Sequence, residues 1–406
     1  LIPLVVSLLS LYLKKSIAGT AFARITGFIC ALILVSIAYR NFNSIDLAIF
    51  LLVVGATNFI NFSDLGLGNS LVNRLIDCKE PKKTFITYLF PASILSAMYL
   101  LVGCAIFIYS SNLSNAWLVF ILYISLQTPL SLSSKYYLAI KKVGIDQSRF
   151  AIGRILSLLF FSSAVYMESQ LYVCIVAFLI GDLLYKLYST FLIIKGQRLN
   201  LFFHARLNDT YNKRYFHFFI FQLFFVLLIT GDQFLIYQLY QKETSASFLA
   251  TQRIFDILPV IIMMIISPLW AVLRSGELDR RVFVNKVRMF GFYSVSIFIL
   301  IQIFLFYTGD ILFDIWLGET YKFEYVLVFL ISSNAFLLSF YHIVNIDLQS
   351  MDKYRLQSSL MISIFIFACV GKLLFYTEGV WIFPLANTIS LLFIGILYSQ
   401  IAKVSR

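Results

Sequence analysis

The chain has 406 residues, of which 60% are hydrophobic and only 13% are charged, with a net charge of +12. Soluble domains carry about a quarter charged residues, so this composition excludes an ordinary soluble domain. Forty-two phenylalanines and only 7 prolines favour long apolar helices over membrane β-strands, which alternate in polarity. The 5 cysteines form no CxxC pair and the 3 histidines are far apart, so neither a disulfide framework nor a metal site is indicated.

The apolar runs predict an all-α polytopic membrane protein, since a spanning helix needs roughly 20 mostly apolar residues. No stretch resembles a cleavable signal peptide, and a start at Leu1 without Met is expected of a trimmed N-terminus. Two halves of six spans each are predicted, residues 1–200 and 201–406, joined by a basic and aromatic loop. The spans lie at about 18–39, 46–71, 86–109, 115–139, 150–167, 170–194, 215–238, 246–273, 289–309, 323–345, 357–376 and 379–401.

The basic residues are concentrated on alternate loops and the adjoining helix ends. Of the 32 lysines and arginines, all but five belong to the two ends of the chain and to the loops after the even-numbered spans. Such loops are cytoplasmic by the positive-inside rule, so both termini are predicted to be cytoplasmic. This distribution indicates membrane topology and gives no reason to expect a nucleic-acid partner. The five exceptions are Arg40, Lys242, Arg253, Lys322 and Lys372.

The segment from Asn58 to Arg74 places an acid, two glycines and several asparagines at the end of an apolar run. Polar groups at membrane depth must face other protein or a wet cavity. The segment is therefore either a helix-packing patch that ends the span or the cytoplasmic gate of a polar cavity. Arg24 lies inside span 1, so we expect it to share the cavity mouth with Asp64, either paired to it or freed from it to bind a ligand.

Other charges lie inside the predicted spans, where each costs at least ~2.5 kcal/mol unless it is solvated or paired. Asp182 and Lys186 have the favourable i,i+4 spacing and are predicted to form a structural pair. Lys372 is expected to snorkel towards the interface near Glu378. Asp232 lies near the outer end of span 7, where it is either interfacial or functional.

Arg253 and Asp256 are spaced i,i+3 in span 8. They either neutralise each other, or Arg253 provides a second cationic binding site for the same ligand, in addition to the one at Arg24.

Three motifs resemble those of Wzx-type polysaccharide flippases of the multidrug/oligosaccharidyl-lipid/polysaccharide exporter superfamily. The segment from Asp64 to Arg74 is similar to the end of their second span. A second motif joins Gly231-Asp232-Gln233, Ala250-Thr-Gln-Arg253 and Ser267-Pro268-Leu-Trp270, and a third joins Asn345 to Lys353 and Arg355. Together these motifs touch both halves of the chain. Ala271 departs from the pattern, because these proteins often have proline there.

The resemblance implies a MATE-like fold of two six-helix lobes in the bacterial inner membrane. It implies translocation of an undecaprenyl-pyrophosphate-linked oligosaccharide, an O-antigen or capsule repeat unit, to the periplasmic leaflet. The protein would have no catalytic residues, no metal and no cofactor other than a proton or sodium ion for coupling. Its partners would be membrane lipid and the polysaccharide polymerase and chain-length proteins.

The residues expected to carry this function are those that place charge or amides within the spans. Candidates for the headgroup and cavity are Arg24, Asp64, Asn69, Asn73, Arg74, Arg253 and Asn334. Candidates for ion coupling are Asp232 and Asp256. Further amides that either bind sugar hydroxyls or bridge helices are Asn58, Asn61, Gln127, Gln222 and Gln302.

Two alternatives stay open at this point. A drug exporter of the same superfamily would share the fold, but its usually cationic substrate is disfavoured by arginines in the cavity. A membrane polysaccharide polymerase or ligase would need a large catalytic outer loop, and the longest one predicted here, at about 310–322, is short.

Overall fold

A computed structural model describes residues 11–57, 63–76, 78–109, 114–140, 142–195, 213–259, 262, 280–318, 321–351 and 353–404. Within these ranges the chain is almost entirely helical and contains no strand. The helices are α1 Leu11–Asn41, α2 Ser44–Ala56, α3 Leu67–Ile76, α4 Pro81–Tyr109, α5 Asn115–Ala139, α6 Val143–Tyr166, α7 Leu171–Ile194, α8 Lys213–Leu239, α9 Lys242–Phe255, α10 Arg280–Leu317, α11 Tyr325–Ser350, α12 Tyr354–Phe375 and α13 Ile382–Val404.

Nine helices in the described ranges are long and apolar enough to cross a membrane. Ser44–Ala56 and Ile382–Phe393 add two shorter apolar helices. In α4 only 6% of the apolar window is buried, so most of this helix presents Leu, Ile and Phe side chains outwards, as a lipid-facing helix does. The prediction of an all-α multi-pass membrane protein is confirmed, while the total of twelve spans stays a prediction.

The chain forms two compact units. The N-terminal unit comprises Ala18–Val226, and the C-terminal unit comprises Leu227–Arg406 together with Leu1–Ile17. The division falls within α8. The boundary predicted at residue 200 lies outside the described residues and stays a prediction.

Span 2 is interrupted, which corrects the prediction of one continuous span from 46 to 71. Helix α2 ends at Ala56 and α3 begins at Leu67 after a turn in which Leu65 and Gly66 have φ of 50° and 86°. The carboxylate of Asp64 accepts hydrogen bonds from the backbone N–H of Gly66 at 2.9 Å and of Gly68 at 3.1 Å. Asp64 thus satisfies donors at the start of α3 that a helix leaves unpaired, and the left-handed turn prevents a continuous helix.

A close contact between helix backbones in the N-terminal unit joins α6 to α7. A Cβ atom at Gly181 would lie 2.4 Å from the carbonyl oxygen of Gly153 and 2.5 Å from the backbone nitrogen of Ser157. The two backbones therefore touch, as small residues permit between membrane helices. Arg154 directly follows Gly153 in α6, and Asp182 directly follows Gly181 in α7. The contact therefore also brings these two charged residues close together.

Substitution of Gly181 tests this contact. We expect Gly181→Ala to destabilise the protein by about 1–3 kcal/mol, because the added methyl group would force the backbones of α6 and α7 apart. The measurement is thermal unfolding of the purified protein in detergent.

Gly231→Ala is the matched control, because a Cβ at Gly231 in α8 would meet nothing within 4 Å. This variant should be neutral or gain up to about 1 kcal/mol through the reduced freedom of the unfolded chain. Equal unfolding temperatures for the two variants would contradict the backbone contact.

Candidate functional site

The N-terminal unit contains a group of ionisable side chains on α1, α6 and α7, which we call the cationic cluster. It holds four basic and two acidic residues, and its members interact electrostatically with one another. Helices that cross lipid seldom carry so many charges, and such charges mark functional sites by default. The members are Arg24, Asp146, Arg149, Arg154, Asp182 and Lys186.

Asp182 is the most heavily engaged acid of the cluster. It is 5% exposed, and its Oδ2 accepts hydrogen bonds from the Tyr123 hydroxyl at 2.5 Å and the Gln127 amide at 2.9 Å. Lys186 Nζ lies 3.3 Å from the same oxygen, so the predicted pair is confirmed. Arg154 reaches only to 4.0 Å from Oδ1. The carboxylate is thus satisfied mainly by the other three groups, and the hydrogen-bond donors of Arg154 remain largely available.

Two arginines of the cluster pack against the same aromatic ring. The guanidinium carbons of Arg24 and Arg154 lie 5.6 Å and 4.9 Å from the centroid of the Phe150 ring. Such cation–π contacts orient a guanidinium without using its N–H donors. No ion pair within 4.0 Å joins Arg24 to a described carboxylate, although Asp146 is near enough to interact electrostatically. Both arginines can therefore present N–H groups to an anionic ligand.

Arg149 is held differently, by tyrosines on α5 and α7. Its guanidinium lies 5.0 Å from the Tyr137 ring centroid and 5.4 Å from that of Tyr188, and it donates to the Tyr137 hydroxyl at 2.8 Å. The sequence does not distinguish Arg149, Arg154 or Asp146 from the other charged residues of the predicted cytoplasmic loop and the adjoining helix ends. Arg154 could have been identified from the sequence, because it is a charged residue inside the span predicted at 150–167.

Arg24 and Asp64 are not joined by an ion pair, although the structure describes both residues. Asp64 is 2% exposed, caps α3 and has Lys135 as its cationic neighbour. The predicted ion pair between Arg24 and Asp64 is therefore absent, because the turn at Leu65 directs the Asp64 carboxylate to backbone N–H groups. Arg74 is exposed near the end of α3.

Several predicted residues and motifs fall outside what the structure describes. The side chains of Asn69 and Asn73 belong to this set, as do Asn58, Asn61 and the motif from Ser267 to Trp270.

The C-terminal unit buries a second charged group, centred on Asp232 of α8. Lys372 Nζ of α12 lies 2.5 Å from Asp232 Oδ1, and Asn387 Nδ2 of α13 donates to Oδ2 at 2.7 Å. Asp232 and Lys372 are 5% and 4% exposed. The expectation that Lys372 snorkels towards Glu378 is wrong, because its Nζ is bound to the buried Asp232 carboxylate. A buried carboxylate 140 residues earlier in the chain neutralises the lysine.

Arg253 and Asp256 form the i,i+3 pair that was one of the two sequence interpretations. Arg253 Nη1 donates to Asp256 Oδ2 at 2.9 Å, Arg253 is 8% exposed and the Asp256 side chain is 36% exposed. Arg253 thus has a carboxylate partner within the described residues, unlike Arg24. This pairing favours self-neutralisation over an independent cationic station.

A small cleft lies between helices of the C-terminal unit, and we call it the amide cleft. Among the described residues, its polar lining consists of two carboxylates and three amides, one of which is Asn334. Neither Lys372 nor Arg253, both described, lines it. The lining residues are Ile229, Asp232, Phe248, Gln252, Phe255, Asp256, Pro259, Ile331, Asn334, Ala335, Leu338, Pro384 and Asn387.

The Asp232–Lys372 pair allows a test by paired substitution. Lys372→Met should destabilise the protein by about 3–5 kcal/mol, because it leaves the Asp232 carboxylate buried without its cation. The double change Asp232→Asn with Lys372→Met should recover most of that loss, since it removes both charges. The measurement is thermal unfolding in detergent, with membrane abundance as a second readout. An unfolding temperature unchanged by Lys372→Met would contradict a buried pair.

Comparison with known proteins identifies the fold. No protein-family model and no curated protein matches the sequence. An outward-facing multidrug resistance MATE family transporter of the MOP superfamily is similar over 99% of this chain and 98% of its own, with a TM-score of 0.69 and 13% identity. The lipid II flippase MurJ, in an inward closed conformation, is similar over 97% of this chain and 87% of its own, with a TM-score of 0.69 and 14% identity.

A MOP superfamily transporter from Pyrococcus furiosus is similar over 99% of this chain and 96% of its own, with a TM-score of 0.58 and 13% identity. Likeness at such low identity reports architecture, and all three neighbours are transporters or flippases by name. The chain therefore has the helical membrane fold of the MATE and MOP superfamily transporters.

Proposed function

We propose that this protein is a flippase for undecaprenyl-pyrophosphate-linked oligosaccharide. It moves an O-antigen or capsule repeat unit from the cytoplasmic to the periplasmic leaflet of the bacterial inner membrane by alternating access. Both termini lie in the cytoplasm, as the positive-inside rule requires of the basic loops. The polysaccharide polymerase and chain-length proteins receive the translocated product.

The observation that carries this proposal is the excess of basic over acidic side chains in the cationic cluster. Four basic groups face two carboxylates, and one of those carboxylates, Asp182, is already satisfied by Tyr123, Gln127 and Lys186. An uncompensated positive charge among apolar helices is costly unless an anion offsets it. A pyrophosphate supplies that charge, and the guanidinium forks of Arg24 and Arg154 suit paired phosphate oxygens.

A drug exporter of the same superfamily is the competing function, and one of the structural neighbours bears that name. A cationic drug would require unpaired carboxylates. The acids described in the C-terminal cleft, Asp232 and Asp256, are each paired with a basic residue. The charge balance of both units therefore favours an anionic or neutral ligand over a cationic one.

Ion coupling is assigned to the same two acids. A proton on Asp232 would release Lys372, and one on Asp256 would release Arg253, so protonation would change the partners of two buried basic groups. A sodium ion at either carboxylate would have to displace the resident cation. The proton is therefore our choice of coupling ion.

The proposal is tested with alanine variants of the cationic cluster in a strain that lacks the gene. Arg24→Ala and Arg154→Ala should each lower translocation by roughly 10- to 100-fold, because each removes charge-assisted hydrogen bonds to pyrophosphate. The measurement is the amount of lipid-linked repeat unit that accumulates on the cytoplasmic leaflet, normalised to membrane abundance of the variant.

Lys83→Ala is the control, because Lys83 lies near the start of α4, is exposed and, among the described residues, pairs only with the exposed Glu80. This variant should translocate normally. The flippase proposal would be wrong if the wild type exported a cationic dye such as ethidium and the deletion strain accumulated no repeat units. That result would support a drug exporter instead. Full translocation by both cluster variants at normal abundance would contradict the pyrophosphate site proposed at Arg24 and Arg154.

A further inference from the structure

The Phe150 ring of α6 lies between two arginines that come from different helices. The guanidinium carbons of Arg24 on α1 and Arg154 on α6 are 5.6 Å and 4.9 Å from its centroid. We propose that Phe150 is a positioning residue, which holds both guanidinium groups for one ligand with two adjacent phosphates. It thereby favours a lipid diphosphate over a lipid monophosphate. The inference rests on the proposed function and deepens it, because it names the side chain that sets this preference.

The Phe150 ring is itself held from two sides. On α7, the Tyr185 ring meets it edge to face, with the centroids 5.7 Å apart and the planes at 84°. On α1, a Cβ atom at Gly27 would lie 3.2 Å from Phe150 Cε1 and 3.8 Å from Arg154 Cγ. Gly27 follows Arg24 by three residues and so lies on the same face of α1. The missing side chain of Gly27 therefore lets the ring pack against α1 beside Arg24.

Arg24 and Arg154 depend on this ring more than Arg149 does on its own aromatic neighbours. Arg149 donates to a tyrosine hydroxyl at 2.8 Å, and this hydrogen bond helps to fix it. Arg154 comes only to 4.0 Å from Asp182, and no described carboxylate forms an ion pair with Arg24. An arginine that is free to move must give up side-chain freedom when it binds a ligand. The ring removes part of that cost before the ligand arrives.

Two guanidinium groups beside one ring suit a diphosphate. The ring attracts the charge of each group without accepting its N–H donors in place of a ligand oxygen. Each guanidinium can then bind one phosphate group through paired hydrogen bonds. A monophosphate has no second phosphate group for the other arginine. The Arg154 side chain is 26% exposed, and Arg24 and Phe150 are partly exposed, so a headgroup can reach the N–H groups.

A ring that serves only as a packing surface is the alternative, and the electronic character of the ring separates the two roles. Fluorine in place of ring hydrogens withdraws electron density from the ring face, which weakens its attraction for a cation. The size and hydrophobicity of the side chain change little. Fluorination at Phe150 therefore removes the cation–π contacts and largely keeps the packing.

The experiment compares two lipids on purified full-length protein in nanodiscs, undecaprenyl pyrophosphate and undecaprenyl phosphate. The wild type should bind the pyrophosphate more tightly. Trifluorinated phenylalanine, introduced at position 150 by suppression of a stop codon, should weaken pyrophosphate binding by about three- to tenfold, because both arginines lose their orientation. Binding of the monophosphate should fall less, so the ratio of the two affinities decreases. The unfolding temperature should stay close to that of the wild type.

Phe161 is the matched control, since it is the same residue type on the same helix, roughly 16 Å further along. It stacks on Phe50 with the ring centroids 4.8 Å apart, and no described arginine or lysine lies over its ring. Trifluorinated phenylalanine at position 161 should keep both affinities and their ratio. Arg154→Ala should weaken pyrophosphate binding whatever the role of Phe150, because it removes one of the two guanidinium groups.

The outcomes separate this inference from the proposed function. If fluorination at position 150 changes neither the affinities nor their ratio, or if fluorination at position 161 lowers them equally, the positioning role of Phe150 is overturned. If the wild type binds both lipids equally, the preference for a diphosphate is overturned. The flippase proposal survives each of these results as long as Arg154→Ala weakens pyrophosphate binding. If the wild type binds neither lipid, both proposals are overturned together.

Discussion

The burial of charge among apolar helices is the constraint on which the described structure depends. A lone charge at membrane depth costs at least ~2.5 kcal/mol, so each acid needs partners from its own helix or from neighbouring helices. Asp182 on α7 is bound by Tyr123 and Gln127 from α5 and by Lys186 from its own helix. Asp232 on α8 is bound from α12 and α13. Each acid therefore specifies which helices can be neighbours, in a bundle whose apolar surfaces could pack in many ways.

The two units resolve this constraint in opposite ways. In the C-terminal unit the acids of the cleft are matched one to one with basic residues, so the described site is close to neutral. In the N-terminal unit the basic residues outnumber the acids. Arg24 is oriented by an aromatic ring, and no carboxylate in the described part of the chain forms an ion pair with it. An aromatic partner positions a guanidinium but leaves its charge and its N–H donors available for a ligand.

Much of the architecture could be predicted from the sequence, because long apolar runs report membrane helices directly. Local ion pairs could also be predicted, since the pairs Asp182–Lys186 and Arg253–Asp256 follow from helix geometry alone. The partner of Lys372 could not be predicted from the sequence, because 140 residues separate Lys372 from Asp232 and only helix packing brings them together. The role of Asp64 was missed for another reason. Its partners are backbone N–H groups, which become available only because Leu65 and Gly66 take the left-handed conformation.

Fold and function separate clearly in this protein. The same architecture serves a neighbour named as a multidrug transporter and one named as a lipid II flippase, each at 13–14% identity to this chain. What the architecture requires is modest, namely apolar surfaces and small residues such as Gly153 and Gly181 where backbones touch. Such requirements leave the identity of the adjacent residues free. In this chain those adjacent residues are Arg154 and Asp182, so the contact that closes α6 onto α7 also places a guanidinium beside a satisfied carboxylate. We propose that the ligand is selected by these charges, because the backbone contact between the two helices carries no information about a ligand.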